Sequence, residues 1–152
     1  MSANTTFDKQ LPVVIGADHA GFAYKEMLKQ QLADWGWTVD DKGTYNTDSV
    51  DYPDFAHPVA SAVASGAAAF GVLICGSGEG VCITANKHNN VRAALVWNND
   101  VAQLARQHNN ANTICLPARF VSEEQAKEML RLFIETPFEG GRHENRVAKI
   151  DC

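Results

Sequence analysis

Residues 70–81 read FGVLICGSGEGV. Phe70–Cys75 is an apolar run of the length and kind that makes a strand buried on both faces. Gly76–Gly80 is a loop in which glycine alternates with Ser77 and Glu79, and a short helical segment, Val81–Lys87, follows. A strand that runs through a glycine loop into a helix is the repeating unit of a parallel α/β sheet. Outward from this stretch the same alternation runs the length of the chain. Towards the N-terminus, Leu11–Gly16 is apolar and β-branched and stops at Asp18-His19-Ala20-Gly21. Phe22–Trp35 then carries Tyr24, Leu28, Leu32 and Trp35 on one helical stripe, with Gly36 placed to cap it. Trp37–Gly43 reads as a short strand, Thr44–Asp54 as a polar loop around Tyr52-Pro53, and Phe55–Ser65 as an Ala/Val-rich helix closed by Gly66. Towards the C-terminus, Val91–Trp97 is a strand, Asn98–His108 a helix with Asp100 in its first turn, and Thr113–Leu116 a strand ended by Pro117. Ser122-Glu123-Glu124-Gln125 is a capping box that opens a helix to about Glu135.

Five strand signals, each followed by a helix signal, predict a three-layer, Rossmann-like α/β fold. It has a parallel sheet of about five strands, helices on both faces and right-handed crossovers. With no repeat, linker or low-complexity stretch, residues 1–152 read as one domain. Residues 1–10 are a flexible tail in this reading, and 137–152 an arginine-bearing one. Ligands of such sheets bind beyond the carboxyl ends of the strands, which singles out Asp18–Gly21, Cys75–Gly80, Asn98–Asp100 and Pro117–Arg119.

Thirteen Lys and Arg against 18 Asp and Glu give a formal net charge of -5. That balance argues against a nucleic-acid binder. An acidic protein that takes an anionic ligand must do so with a few placed cations. The apolar runs are too short to span a bilayer, and the polar start has no signal-peptide core, so the expected address is cytoplasmic. None of the four cysteines, Cys75, Cys82, Cys115 and Cys152, stands in a C-x-x-C pair, and no Cys/His spacing suits structural zinc. All four read as free thiols in a reducing compartment, with no metal site expected.

The loop Gly76-Ser77-Gly78-Glu79-Gly80 lets backbone N–H groups converge on an anion or a forming oxyanion. It is neither the G-x-G-x-x-G nucleotide fingerprint nor a P-loop, because Val81 breaks the first and no Gly-Lys-Ser/Thr follows. A tight turn that needs glycine for shape alone is the competing reading. Cys75 stands at the mouth of the loop. Thiols beside helix N-termini ionise readily and serve as bases; an inert buried thiol is an equal alternative. Asp18-His19 could orient a hydroxyl and a phosphate, although a strand-end capping turn accounts for them as well. His108-Asn109-Asn110 offers a proton donor, or simply a helix C-terminus. Arg142 and Arg146, spaced i and i+4 after Gly140-Gly141, form a pincer of bidentate donors if the tail is helical. A solvated charged run is the commoner fate. Arg119 is a further, isolated candidate.

Taken in order, Gly16-Ala17-Asp18-His19-Ala20-Gly21, Asp51-Tyr52-Pro53-Asp54, Ile74-Cys75-Gly76-Ser77-Gly78, Ala85-Asn86-Lys87, Val91-Arg92-Ala93, Arg106-Gln107-His108-Asn109 and Gly140-Gly141-Arg142-His143 make a set. With that set, from about residue 12 to the C-terminus, the chain resembles the type B ribose-5-phosphate isomerases, a family that includes the galactose-6-phosphate isomerase subunits. The resemblance implies a sugar-phosphate isomerase with no cofactor. It implies Cys75 as the base, with Ser77 and the amides of Gly76, Gly78, Glu79 and Gly80 holding the enediolate oxygens. Asp18 and His108 would open the ring, Tyr52 and Asn109 would bind hydroxyls, and His19, Arg119, Arg142 and Arg146 would hold the phosphate. It further implies a homodimer or homotetramer with shared active sites, His108, Asn109 and Arg119 facing the Cys75 loop of another subunit. Asn110, Glu79 and Leu116-Pro117-Ala118-Arg119 depart from the commonest family pattern. Some members use a glutamate base that would fall at Val81, so Glu79 is not assigned that role. Rival readings are an isomerase of another aldose phosphate (galactose 6-phosphate, allose 6-phosphate or a tetrose phosphate), a phosphate-ligand-binding module without catalysis, and a thiol redox protein.

Overall fold

Residues 7–152 are described by the structure, a computed structural model. Five strands, β1 (Val13–Ala17), β2 (Val39–Asp41), β3 (Phe70–Cys75), β4 (Ala93–Leu95) and β5 (Thr113–Pro117), form one sheet in the order β2-β1-β3-β5-β4. Every pairing is parallel. The helices are α1 (Phe22–Asp34), α2 (Pro53–Ala64), α3 (Glu79–Ala85), α4 (Asn99–Asn109), α5 (Glu123–Glu135) and α6 (Arg142–Ala148).

The apolar runs of β1, β3 and β5 are buried along their whole length because both faces are covered. Alternate residues go to opposite sides. Val13, Ile15, Phe70, Val72, Ile74, Ile114 and Leu116 meet α1, α4 and α5, through side chains such as Leu28, Ala102, Met129 and Phe133. Val14, Leu73, Cys75 and Cys115 meet α2 and α3, through Val59, Ala60, Val81 and Ala85. The three-layer reading is therefore found. The edge strands are shorter than the sequence suggests. The expected Val91–Trp97 contracts to Ala93–Leu95, where the Asn112 side chain takes the Arg92 N–H at 2.8 Å.

Helix starts follow local chemistry. Pro53 sits in the first turn of α2 with Asp54 beside it, so that helix begins two residues before Phe55. Ser122 accepts from Gln125 N–H at 3.1 Å and donates its own N–H to Gln125 Oε1 at 2.8 Å, the capping box read from sequence. In the tail, Gly140 and Gly141 at φ +68° and +56° turn the chain into α6.

Two expectations need correction. Of the tail expected over residues 1–10, Phe7 is packed while Asp8, Lys9 and Gln10 are exposed; residues 1–6 lie outside the described residues. Phe7 is 9% exposed, its ring 4.7 Å from Phe70 and 5.7 Å from Phe133. Burying one such ring stabilises by about 1.5–3 kcal/mol, enough to order the backbone beside it. On α1 the expected stripe faces the core, Leu28 and Leu32 buried and Tyr24 and Trp35 half-buried against the same cluster, but Lys25 beside it is fully buried as well. Lys25 Nζ lies 2.6 Å from Asp41 and 2.7 Å from Glu26, and Asp41 also receives Lys29 Nζ at 2.7 Å and the Gly43 N–H at 2.8 Å. Burial pushes the Asp41 carboxyl up, and the Lys25, Lys29 and Gly43 hydrogen bonds outweigh it, leaving it below the usual carboxylate range. A periodicity count treats a lysine as exposed; a paired one is not.

Candidate active site

Parallel register brings three strand ends together. Ala17 pairs with Ile74, and Cys75 with Pro117, so the residues that follow, Asp18, Gly76 and Ala118, leave the sheet side by side. Asp18 N–H donates to Ile74 O at 3.3 Å, and its Oδ1 accepts the Gly21 N–H at 3.1 Å. Asp18 is buried, with its other oxygen uncommitted to that turn. His19 Nδ1 accepts the Val50 N–H at 3.2 Å. That bond assigns the ring proton to Nε2, which becomes a donor. It also ties the polar 44–52 loop to the end of β1.

The glycine loop is shaped by contacts a side chain would block. A Cβ on Gly80 would lie 2.7 Å from the Tyr52 ring, so Tyr52 closes over the loop. Gly78 holds φ +74°, and a Cβ there would meet Leu95 Cδ1 at 2.6 Å. Ser77 Oγ accepts the Glu79 N–H at 3.3 Å, and Glu79 itself is exposed. α3 starts at Glu79, two residues earlier than expected, so its first, intrahelically unpaired amides belong to the loop.

Cys75 ends β3 and is 5% exposed. It packs with Val81 and Cys115 on the α2/α3 side. Burial pushes the neighbouring Cys115 thiol well up, keeping it protonated. All four cysteines are free.

Arg119 corrects an expectation. Its N–H donates to Gly76 O at 3.0 Å, and a Cβ on Gly76 would lie 3.1 Å from Arg119 Nε. The guanidinium therefore borders the Cys75 loop of its own chain, because the turn after Pro117 hydrogen-bonds straight back to that loop. Asp18, His19, Tyr52, Cys75, Gly76, Ser77, Gly78, Glu79, Gly80 and Arg119 form one group.

The remaining candidates form a second group. α4 ends with His108 and Asn109. Beside it lies α6, with Arg142 and Arg146 exposed one turn apart. The His108 and His143 rings stack at 4.3 Å, and Glu139 N–H donates to Gln107 O at 3.1 Å. Arg106 holds this helix end from inside. It is 1% exposed, donates to Thr136 O, Asn110 Oδ1 and Ala111 O, and lies 4.4 Å from the Phe7 ring. Burial lowers its pKa to about 10, with the nearby Arg92 adding to the shift.

This second group sits at the amino edge of the sheet. The Asn112 carbonyl just beyond it accepts the Gly71 N–H at 2.9 Å, at the start of β3. Cys75 is at the other end of that strand, roughly 13 Å away at about 3.3 Å per residue. Proton transfer needs contact of about 3 Å. Within one chain, then, the Cys75 loop and the His108/Arg142/Arg146 group lie apart. Sequence reading passed over Arg106, Glu139 and His143 as side chains of this second group. The Glu139-x-x-x-His143 spacing was the available signal.

Among the described residues no helix is long and apolar enough to cross a membrane. The profile of the family described as Ribose/Galactose Isomerase matches residues 13–150. The chain is 41% identical to ribose-5-phosphate isomerase B of Escherichia coli K12 over 138 residues, 91% of this chain and 93% of that one. It is similar to the crystal structure of ribose 5-phosphate isomerase B from Thermotoga maritima, with a TM-score of 0.90 and 48% identity over 93% of this chain and 97% of that chain. It is likewise similar to the Mycoplasma genitalium enzyme with bound ribulose 5-phosphate, with a TM-score of 0.90 and 41% identity over 94% and 95% of the two chains.

Proposed function

Because the chain belongs to the ribose/galactose isomerase family, we propose that it interconverts D-ribose 5-phosphate and D-ribulose 5-phosphate, with Cys75 as the base that moves the proton between C2 and C1. The observation that carries the reading is the placement of Cys75 at the carboxyl end of β3, between buried Asp18 and a loop whose Gly78 and Gly80 leave no room for a side chain.

In this reading the phosphate is gripped at the unreactive end of the sugar by His19 Nε2, Arg119, Arg142 and Arg146, and that binding orients the reactive end. Asp18 and His108 open the furanose ring, His108 giving a proton to the ring oxygen, while Tyr52 and Asn109 hold hydroxyls. The Cys75 thiolate takes the C2 proton, and the electron pair moves to the carbonyl oxygen as a cis-enediolate. Ser77 and the loop amides hold that charge; losing such a contact costs on the order of 10²–10³ in rate. Cys75 returns the proton to C1 while the proton of the C2 hydroxyl passes to O1, and the ketose forms. At 5% exposure Cys75 keeps bulk water from the transferred proton.

The two groups of one chain lie too far apart to act together, which supports a homodimer or homotetramer whose sites pair the Cys75 loop of one subunit with His108, Asn109 and the α6 arginines of another. A thiol base must stay reduced, which favours a cytoplasmic setting. The test is ketose formation by the purified chain alone on five- and six-carbon aldose phosphates, with solvent deuterium exchange at C1 and C2. Cys75→Ala and Cys75→Ser are expected to abolish both while phosphate-dependent binding persists. Normal turnover by Cys75→Ala would remove the base assignment.

A further inference from the structure

Glu139 Oε1 lies 3.4 Å from His143 Nε2 and 3.9 Å from His108 Nε2, and the ligand atoms of all three residues fall within 4.8 Å of one another. Tetrahedral zinc with bonds of about 2.0–2.1 Å sets its ligands about 3.4 Å apart. One edge of the triangle already has that length, and the others close by rotation of the half-exposed His108 and Glu139 side chains. Two neutral imidazoles and one carboxylate are a ligand set that borderline divalent transition metals prefer over magnesium or calcium. His143 is 7% exposed at its side chain, whereas His108 and Glu139 are 40% and 51% exposed. The buried ring thus anchors the set, and the outer two leave a face open for an incoming ion and its fourth ligand. The two rings lie stacked with 14° between planes, so both Nε2 lone pairs converge on one ion only when the half-exposed His108 ring tilts out of the stack towards the buried His143.

We propose that His108, Glu139 and His143 form a binding site for Zn²⁺ or a similar divalent transition metal, and that occupancy inhibits the isomerase by withdrawing His108 from the substrate. The ion takes the Nε2 lone pair of each imidazole and releases no oxidised product; any proton on those nitrogens goes to solvent. The inhibition rests on the acid role proposed for His108. The binding does not.

The test uses the full chain and Co²⁺ as a spectroscopic probe. One Co²⁺ per chain is expected, with d–d absorption and no thiolate-to-cobalt charge-transfer band, and with displacement by Zn²⁺. Glu139→Gln, an exposed change, should weaken Co²⁺ binding at least about tenfold, the loss of one of three ligands. Zn²⁺ should lower kcat for ribose 5-phosphate in the parent chain, and far less in Glu139→Gln measured against that variant's own metal-free rate. A thiolate band, no d–d spectrum, or equal Co²⁺ affinity in Glu139→Gln would overturn the site. Co²⁺ binding as expected with no effect of Zn²⁺ on turnover would overturn the inhibition. A chain with no isomerase activity at all would still be judged on the spectra.

Discussion

Mixing two inactive variants tests the division of the site between subunits. Cys75→Ala removes the base from the loop at the carboxyl edge of the sheet, and His108→Ala removes the acid from the end of α4 at the amino edge. Each homo-oligomer should be inactive. In a mixed dimer one site lacks both groups, and the other combines the intact Cys75 of one chain with the intact His108 of its partner. Random re-association at equal amounts makes about half the dimers mixed, each with one working site of two, so about a quarter of parent activity should return. A site built within one chain predicts none, because each chain of the mixed dimer lacks one of the two groups. The assay is initial-rate ketose formation from ribose 5-phosphate, after co-refolding of differently tagged chains and isolation of the doubly tagged species, which should show about half of parent activity. Verified mixed dimers with no activity would refute the shared site and, with it, the assignment of His108 to the same reaction as Cys75.

Arg142→Ala should raise KM about 10–100-fold, the value of a charged hydrogen bond of roughly 1.5–3 kcal/mol, and leave kcat near parent, because phosphate is held in ground and transition states alike; steady-state kinetics with an unchanged KM would count against the pincer. Gly78→Ala forces a side chain into the left-handed region and against Leu95; a stability loss of at least about 1–2 kcal/mol by urea unfolding, together with a fall in kcat, is expected, and a neutral result would show that the loop has slack. The depressed Asp41 carboxyl contributes stability that is fully present above its unfolded value near pH 4 and lost as pH falls through its lower folded value. Asp41→Asn should therefore flatten acid unfolding below about pH 4 while lowering neutral-pH stability by about 3 kcal/mol, since Lys25 loses one of its carboxylate partners.

The alternating pattern was legible because the central strands are mostly apolar and the turns are rich in glycine, proline or asparagine. The glycine loop was legible because its composition has few other uses. What escaped the sequence was whatever depends on distant residues meeting. Lys25 looks exposed until Asp41 is known to face it. Phe7 looks stray until Phe70 and Phe133 are known to flank it. Arg119 seemed to belong to another subunit's loop, and only the backbone bonds from Ala118 to Cys75 and from Arg119 to Gly76 bring it home. The separation of the two groups of site residues follows from helix direction: a helix that starts at the carboxyl edge of a parallel sheet must end at the amino edge, and His108 is near the end of α4.

The ring of Phe7 over the Arg106 guanidinium has a practical reach. That cation holds the carbonyls at the end of the helix that presents His108, and Phe7 and Phe133 are its aromatic covers. Proteolysis or trimming that takes the seventh residue would let water in beside the guanidinium and loosen that helix end, so a shortened preparation could stay folded and still turn over poorly. An affinity handle is therefore safer appended to the terminus than substituted for it.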